Sequence, residues 1–434
     1  MPNARKAFCG SPEHLIDRRL FLQGGVATAL GVGLAGFGAP QDSLAAAEIR
    51  KQKKHVLLLW LAGGASQLET FDPKPGRPTG GPFKAIPTAV PGIHICELLP
   101  KMARIMDRVA LVRSLDTKIG DHGQAAELMQ HGRRPEVGIA FPDVGTVLAK
   151  ELGERDSAVP EYVSLYLATE GQRWGRPDAG FLGGRYGAMN LEKSLKPANL
   201  DLPASLSEHD HTEREHLRQY LSERFNRGRN APEVQGYNNT YARVRGLMKA
   251  DTLFDLEKEP AAVRDRYGRT DFGQHALIAR RLIEAGVPMV KVGRAWWDSH
   301  ADNFESHREL AAELDHVMST LLLDLEERGL LESTLVLTLS EFGRTPDINK
   351  DVGRDHFASA WSCSFAGCGI HGGTVHGRTD ADGKTVAEGK VDAGDVSATI
   401  YRAVGINPKK NYRVGPRPVP LVPEVSQPIK TVLA

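Results

Sequence analysis

Six short strand-like apolar runs recur along the chain, and segments with helical periodicity lie between several of them. The runs cover residues 55–62, 109–115, 162–168, 287–293, 334–340 and 362–367. Strands buried on both faces of a parallel sheet have this length and composition, and the helices between them supply the crossovers. The pattern predicts an α/β fold, a three-layer sandwich in which helices cover both faces of a mainly parallel sheet.

The loops that follow these strands are rich in glycines, acids and histidines. They read GGASQLETFD (63–72), DTKIGDHG (116–123), RAWWDSHADN (294–303) and EFGRTP (341–346), and GRDH (353–356) comes shortly afterwards. Ligands of an open parallel sheet bind outside the carboxyl ends of its strands. We therefore expect the five segments to contribute to one site.

Residues 1–47 have the composition of an export signal. Arg18 and Arg19 precede a Gly-rich apolar run, and an Ala-rich stretch follows it. This arrangement is typical of a twin-arginine signal peptide, and the apolar run is shorter than the roughly 20 residues that a spanning helix needs. It predicts recognition by the twin-arginine translocase, a periplasmic or otherwise exported location, and no membrane span in the mature form.

Because α/β folds often hold well over 200 residues around one sheet, we expect residues 48–434 to form one large domain with an insertion. Residues 169–260 are first Gly- and Pro-rich and then highly charged, which predicts a helical insertion of about that extent. The formal net charge of +1 and the 25% charged residues give no indication of nucleic-acid binding. Four cysteines are too few for a disulfide framework.

Several motifs of the mature chain resemble an exported bacterial family called domain of unknown function 1501. They include GGASQLETFDPKPG, ARRLIEAGVP, WDSHADNF, EFGRTPDIN and GRDH. The resemblance implies membership of the alkaline phosphatase and sulfatase superfamily. It also implies that Glu341-Phe342-Gly343 stands where sulfatases have a metal-binding Asp-His-Gly, and that His122 stands in the position of the sulfatase nucleophile.

Asp298 and His300 are two residues apart, so in an extended segment both side chains leave on one face and can reach a shared cation. The alternative is that Asp298 caps a helix and His300 is a polar loop residue. For His122 three roles stay open: phosphoryl acceptor, general base and metal ligand. Arg344 could hold a substrate anion in a bidentate fork, or form an internal salt bridge that only fixes its loop.

The resemblance implies a metal-dependent hydrolase that acts on phosphate or sulfate esters, with an anionic ester or polysaccharide as substrate. The divalent metal would be Zn, Ca, Mn or Fe. His122 and Arg344 would be catalytic, and the ligands would come from Asp298, His300, Glu341, Asp355 and His356. The resemblance also places Gly63-Gly64 where sulfatases have paired metal-binding aspartates. Loss of these aspartates and of the Asp-His-Gly histidine motivates an alternative, a non-catalytic binding protein that recognises anionic polymers or exported partners.

Overall fold

The computed structural model describes residues 53–434 except 155–156, 158, 166–177, 192–195, 198–201, 228–233, 235–236, 239–240, 242–243, 247 and 249–250. The predicted signal peptide, residues 1–47, lies outside the described residues. Within the described part of the chain, no helix is long and apolar enough to cross a membrane.

The strands are β1 (His55–Leu61), β2 (Ala85–Pro87), β3 (His94–Cys96), β4 (Val109–Leu115), β5 (Tyr162–Leu165), β6 (Met189–Leu191), β7 (Met289–Arg294), β8 (Thr334–Leu339), β9 (Gly343–Arg344), β10 (His356–Phe357), β11 (Trp361–Gly367), β12 (Thr374–His376), β13 (Arg378–Thr379), β14 (Val386–Glu388), β15 (Asn411–Val414) and β16 (Arg417–Pro420). The α-helices with defined bounds are α1 (Pro100–Arg104), α2 (His122–His131), α3 (Val144–Leu152), α4 (Glu208–Asn226), α5 (Ala261–Tyr267), α6 (Asp271–Glu284), α7 (Asn303–Glu327) and α8 (Ala393–Ala403).

The central sheet has eight strands in the order β12-β4-β11-β8-β1-β7-β5-β6. Among the described strands of this sheet, β11 alone is antiparallel to its neighbours, β4 and β8. Each of the six predicted runs contains a strand of this sheet, although the run at 162–168 is described only as far as Leu165. The predicted α/β class with a mainly parallel sheet is therefore confirmed.

Alternate residues of the central strand β1 enter two separate hydrophobic cores. Leu57 and Leu59 pack into a core that also contains residues of α1, α6 and α7. Val56 and Trp60 pack into another, which contains residues of α2, α3 and α8. Because successive side chains of a strand point to opposite faces, helices cover both faces of the sheet, as predicted.

The predicted insertion at 169–260 is only partly described. Its α4 begins with a capping box in which Ser207 and Asp210 each accept a hydrogen bond from the other's backbone N–H. The predicted insertion boundaries stay a prediction. Among the described residues, Cys96, Cys363 and Cys368 are buried and free.

Lys291, in the middle of β7, is a charged residue buried inside the protein. Its Nζ donates to Oε1 of Gln130 at 2.9 Å and lies 4.6 Å from the ring centre of Trp60. Burial lowers the pKa of Lys291 to about 7, although Asp143 and Glu341 act in the opposite direction. The sheet therefore carries a lysine whose charge costs folding free energy at neutral pH.

We expect Lys291→Met to raise the free energy of unfolding at pH 7, by up to about 4 kcal/mol. This gain should shrink as the pH rises from 7 towards 10.5, because the folded lysine is already neutral there while the unfolded lysine still binds its proton. Urea unfolding of both proteins at pH 7 and pH 9.5 measures the difference. The same replacement at the exposed Lys350 serves as control, and a pH-independent gain for Lys291→Met would contradict the prediction.

Candidate metal centre

Three strand ends and the short strand β10 supply a cluster of polar side chains at the carboxyl edge of the sheet. Glu341 follows β8, and Asp298 and His300 follow β7. His122 begins α2, which follows β4. His356 lies in β10, which pairs with β9 so that His356 is opposite Arg344. We call these side chains the histidine cluster: His122, Asp298, His300, Glu341, Asp355 and His356.

His122 is the first residue of α2. Asp121 caps the helix, and its side chain accepts a hydrogen bond from the backbone N–H of Gln124 at 3.0 Å. Gly132 ends the helix in a left-handed conformation with φ of 65°. The cap fixes where the helix starts and so holds His122 at the edge of the sheet.

The three histidines of the cluster each have Nδ1 held by an oxygen atom. The distances are 2.8 Å from His122 to Oε1 of Glu341, 2.7 Å from His300 to Oδ1 of Asp355, and 2.7 Å from His356 to the carbonyl oxygen of Gly120. A carbonyl oxygen can only accept, and a carboxylate accepts when it is ionised, so Nδ1 carries the proton. Each Nε2 is then the ring nitrogen on the other side, which can bind a metal when it carries no proton.

The Nε2 atoms converge on Asp298. Those of His300 and His356 lie 3.1 and 3.3 Å from Oδ1 of Asp298, and that of His122 lies 3.1 Å from its Oδ2. His122, Asp298 and His356 each offer one ligand atom, and these atoms all lie within 4.8 Å of one another. Imidazole and carboxylate are common ligands of Zn²⁺ and other divalent metals, so these three residues could hold a metal ion.

The contact between His300 and His356 is the strongest indication of a cation. Their Nε2 atoms are 3.0 Å apart. If both rings carry their proton on Nδ1, two lone pairs face each other, and only a shared cation or an additional proton relieves the repulsion. Ligands placed about 2.0–2.1 Å from a tetrahedral ion are about 3.3 Å apart. The observed spacings of 3.0–3.3 Å are close to that value.

Charge in the cluster also fits a divalent cation. Burial by itself raises the pKa of Asp298, but hydrogen bonds from His122 and His356 and the charge of Arg344 lower it far below its ordinary range. Burial lowers the pKa of His122, whereas its bonds to Asp298 and Glu341 raise it, with a net result of about 9. A pKa above neutral means that His122 also carries a proton on Nε2 while no metal is bound, and a metal ligand has to release that proton. With the histidines neutral in this way, three carboxylates face one guanidinium. The remaining formal charge of about −2 would be balanced by one divalent ion.

Arg344 is completely buried. Its Nε donates to the carbonyl oxygen of Gly64 and one Nη to that of Arg354, both at 3.0 Å, while the other Nη contacts Asp298 and the carbonyl oxygen of Gly63. No edge of the guanidinium is exposed to a substrate. The predicted anion-holding role therefore does not fit, and the alternative of an internal salt bridge describes Arg344, which positions Asp298.

Two of the predicted ligands, Glu341 and Asp355, do not face the point where the Nε2 atoms converge. Glu341 is buried, and its Oε1 accepts from the backbone N–H of Gly63 at 2.7 Å as well as contacting His122. Asp355 binds His300 on the side away from the convergence point. Both carboxylates orient histidines rather than face the other Nε2 atoms. Conversely, His122, whose role the sequence left open, lies among the candidate ligands.

A fully buried ion pair that the sequence did not single out connects two of the loops. Nε and Nη2 of Arg354 lie 2.8–3.2 Å from the carboxylate oxygens of Glu69, and both side chains are 0% exposed. Arg354 also donates to the carbonyl oxygens of Thr79 and Thr345. It directly precedes Asp355 and His356, so the pair fixes the loop that carries them. The GRDH motif contains this arginine, but the sequence alone did not predict that Arg354 is buried.

Close backbone contacts complete the centre. Gly63 has φ of 110°, and a Cβ atom there would lie 2.5 Å from the backbone nitrogen of Asp298.

Phe342, in the middle of the Glu-Phe-Gly triplet, places its ring 4.6 Å from that of His356 and 4.8 Å from that of His122. The phenylalanine therefore packs beneath the histidines.

Residues 53–433 match a family model described as "Protein of unknown function (DUF1501)". No curated protein sequence matches the chain. Similar solved structures include the PsFucS1 sulfatase from Pseudoalteromonas sp., with 15% identity, 85% of this chain and 72% of that chain covered, and a TM-score of 0.39. The lipoteichoic acid synthase LtaP from Listeria monocytogenes has 8% identity and a TM-score of 0.40, with 89% of this chain and 82% of that chain covered. The PH0037 protein from Pyrococcus horikoshii has 11% identity and a TM-score of 0.35, with 83% of this chain and 98% of that chain covered.

Proposed function

The chain belongs to the DUF1501 family, and for this member we propose metal-dependent hydrolysis of phosphate or sulfate esters outside the cytoplasm. The observation that carries the proposal is the arrangement of His122, His300 and His356. Each holds Nδ1 on an oxygen acceptor and turns Nε2 towards Asp298. Histidines of metal sites are oriented in this way by their second nitrogen.

The ligand set that best fits this geometry is His122, Asp298 and His356, with His300 beside them. A divalent cation at such a site polarises an ester oxygen or activates a water molecule for attack. The protein's own groups prepare the site. Glu341 and Asp355 keep the Nδ1 protons of His122 and His300 in place, and Arg344 holds Asp298.

The histidine cluster is open to solvent on one side, where a substrate could approach. The side chain of His122 is 7% exposed, whereas those of Asp298 and His300 are 34% and 48% exposed. Because the inner ligand is covered and the outer ones are open, an ester could approach from the solvent side. A catalytic metal needs an open coordination position of this kind.

The second candidate is a non-catalytic protein that binds an anionic polymer or an exported partner. The observation in its favour is that the cluster is largely satisfied without an ion. Asp298 already contacts His122, His356 and Arg344, and Glu341 contacts His122 and Gly63. In addition, the position that resembles the nucleophile of sulfatases is occupied by His122, which has neither a hydroxyl nor a thiol group.

Metal analysis of the mature protein tests the proposal. We expect roughly one equivalent of a divalent metal after purification, or after incubation with Zn, Ca, Mn or Fe followed by desalting, and its loss in His356→Ala. The loaded protein is then assayed on 4-nitrophenyl phosphate, bis(4-nitrophenyl) phosphate and 4-nitrophenyl sulfate, followed by alkyl and sugar esters. A protein that holds no metal contradicts the proposal. One that holds metal but cleaves none of the esters supports the binding protein instead.

A further inference from the structure

Trp296 is exposed in the same loop as two residues of the histidine cluster, two positions before Asp298 and four before His300. Along 295–300, exposure alternates: Trp296, Asp298 and His300 are exposed, while Trp297 and Ser299 are buried. Two residues of backbone span at most about 7 Å. The indole ring, 54% exposed, is therefore attached close to the exposed Asp298 of the cluster.

The backbone keeps Trp296 in this position at a cost. Its φ of 75° is in the left-handed region, which is unusual for a bulky residue and costs on the order of 1–3 kcal/mol. The next residue is fixed: the N–H of Trp297 donates to the carbonyl oxygen of Ala62 at 3.2 Å, and its buried ring packs edge-on against His307 at 5.3 Å. Two adjacent tryptophans thus point in opposite directions, one into the core and one into solvent.

Packing does not account for the exposed ring. In the described part of the chain, no hydrogen bond, ring stacking or cation–π contact involves the Trp296 side chain. Exposing a large aromatic surface forfeits burial energy. A tryptophan held outward on a strained backbone beside a candidate metal centre is more consistent with binding than with stability.

We infer that Trp296 is the surface on which the sugar ring of an ester substrate stacks; this rests on the proposed function and specifies its substrate. A pyranose has an apolar C–H face that suits the indole, and hydroxyl groups along its edge. The neighbouring exposed side chains, Asp298, His300 and Asp355, are all polar. They suit a ligand that is apolar on one face and polar at its rim.

Binding of ring-containing and acyclic esters to the metal-loaded mature chain tests the inference. Isothermal titration with glucose 6-sulfate, glucose 6-phosphate and 6-O-sulfated cellobiose is compared with titration of ethyl sulfate and glycerol 1-phosphate. We expect the wild type to bind the sugar esters about tenfold more tightly. Trp296→Asn should abolish this preference, since asparagine tolerates the left-handed conformation, and Trp296→Phe should retain most of it.

Tyr220→Ala is the matched control, because Tyr220 is similarly exposed, at 56%, on the separate helix α4. It should leave the preference unchanged, and Trp296→Asn should keep the metal stoichiometry of the wild type. Equal binding of ring and acyclic esters by the wild type, or a preference that survives in Trp296→Asn, overturns the inference. Cleavage of the same esters is assayed separately, so a sugar ester that binds through Trp296 but is not cleaved would refute the proposed hydrolysis and leave the inference about Trp296 standing.

Discussion

Asp298→Asn is expected to weaken divalent metal binding by at least about 100-fold and to abolish ester hydrolysis with it. Removal of groups that only orient metal ligands typically costs 10–100-fold in affinity, and Asp298 is itself the carboxylate on which the Nε2 atoms of His122, His300 and His356 converge. The amide has the size of the carboxylate and can still accept a hydrogen bond from Arg344, so the change removes mainly charge.

Competition with a chromogenic chelator measures this affinity. Asp302→Asn is the matched control, since Asp302 follows in the same loop, is exposed and makes no side-chain capping bond to α7. Its left-handed φ of 48° is one that asparagine also adopts. If both variants bind metal as the wild type does, the ion is not held by this cluster, whatever activity the protein has.

Glu69→Gln is expected to lower the free energy of unfolding by about 3–5 kcal/mol. The substitution keeps the volume but leaves the guanidinium of Arg354 buried without its counter-charge, and breaking a fully buried ion pair in this way is strongly destabilising. Because Arg354 directly precedes Asp355 and His356, we also expect weaker metal binding in the folded variant. Urea unfolding in the presence of a chelator separates the stability effect from metal binding.

Glu305→Gln provides the comparison for Glu69→Gln. Glu305 pairs with Arg308 at 3.4 Å, but their side chains are 71% and 58% exposed. Water screens such a pair, so its loss should cost less than about 1 kcal/mol. Similar losses for the two variants would show that the Glu69–Arg354 pair does not fix the loop.

The fold was largely predictable because it depends on patterns that the chain carries locally. The apolar runs that became β1, β4, β7 and β8 are long enough to be buried on both faces, and the helices between them are amphipathic. Short edge strands were missed: β6 and β12 have three residues each, too few for a recognisable pattern. The signal peptide and the boundaries of the insertion stay predictions.

The sequence predicted where the site lies and which residue types it contains. Asp298, His300 and Glu341 follow strand ends, and parallel strands bring their carboxyl ends to one edge. Their roles were less predictable. Glu341 and Arg344 have the chemistry of a metal ligand and an anion holder, yet both are buried and contact other protein groups.

What the sequence determined by itself was the order of strands and helices and the set of acids and histidines at one edge of the sheet, since hydrophobic periodicity and chain connectivity are local properties. What the tertiary structure alone decided was which atoms face one another. The pairing of His356 with Arg344 across β9 and β10, and the approach of Gly63 to Asp298, join segments far apart in the chain. Burial and side-chain direction arise from such contacts, and they turned Arg344 inward, Trp296 outward and three Nε2 atoms towards one carboxylate.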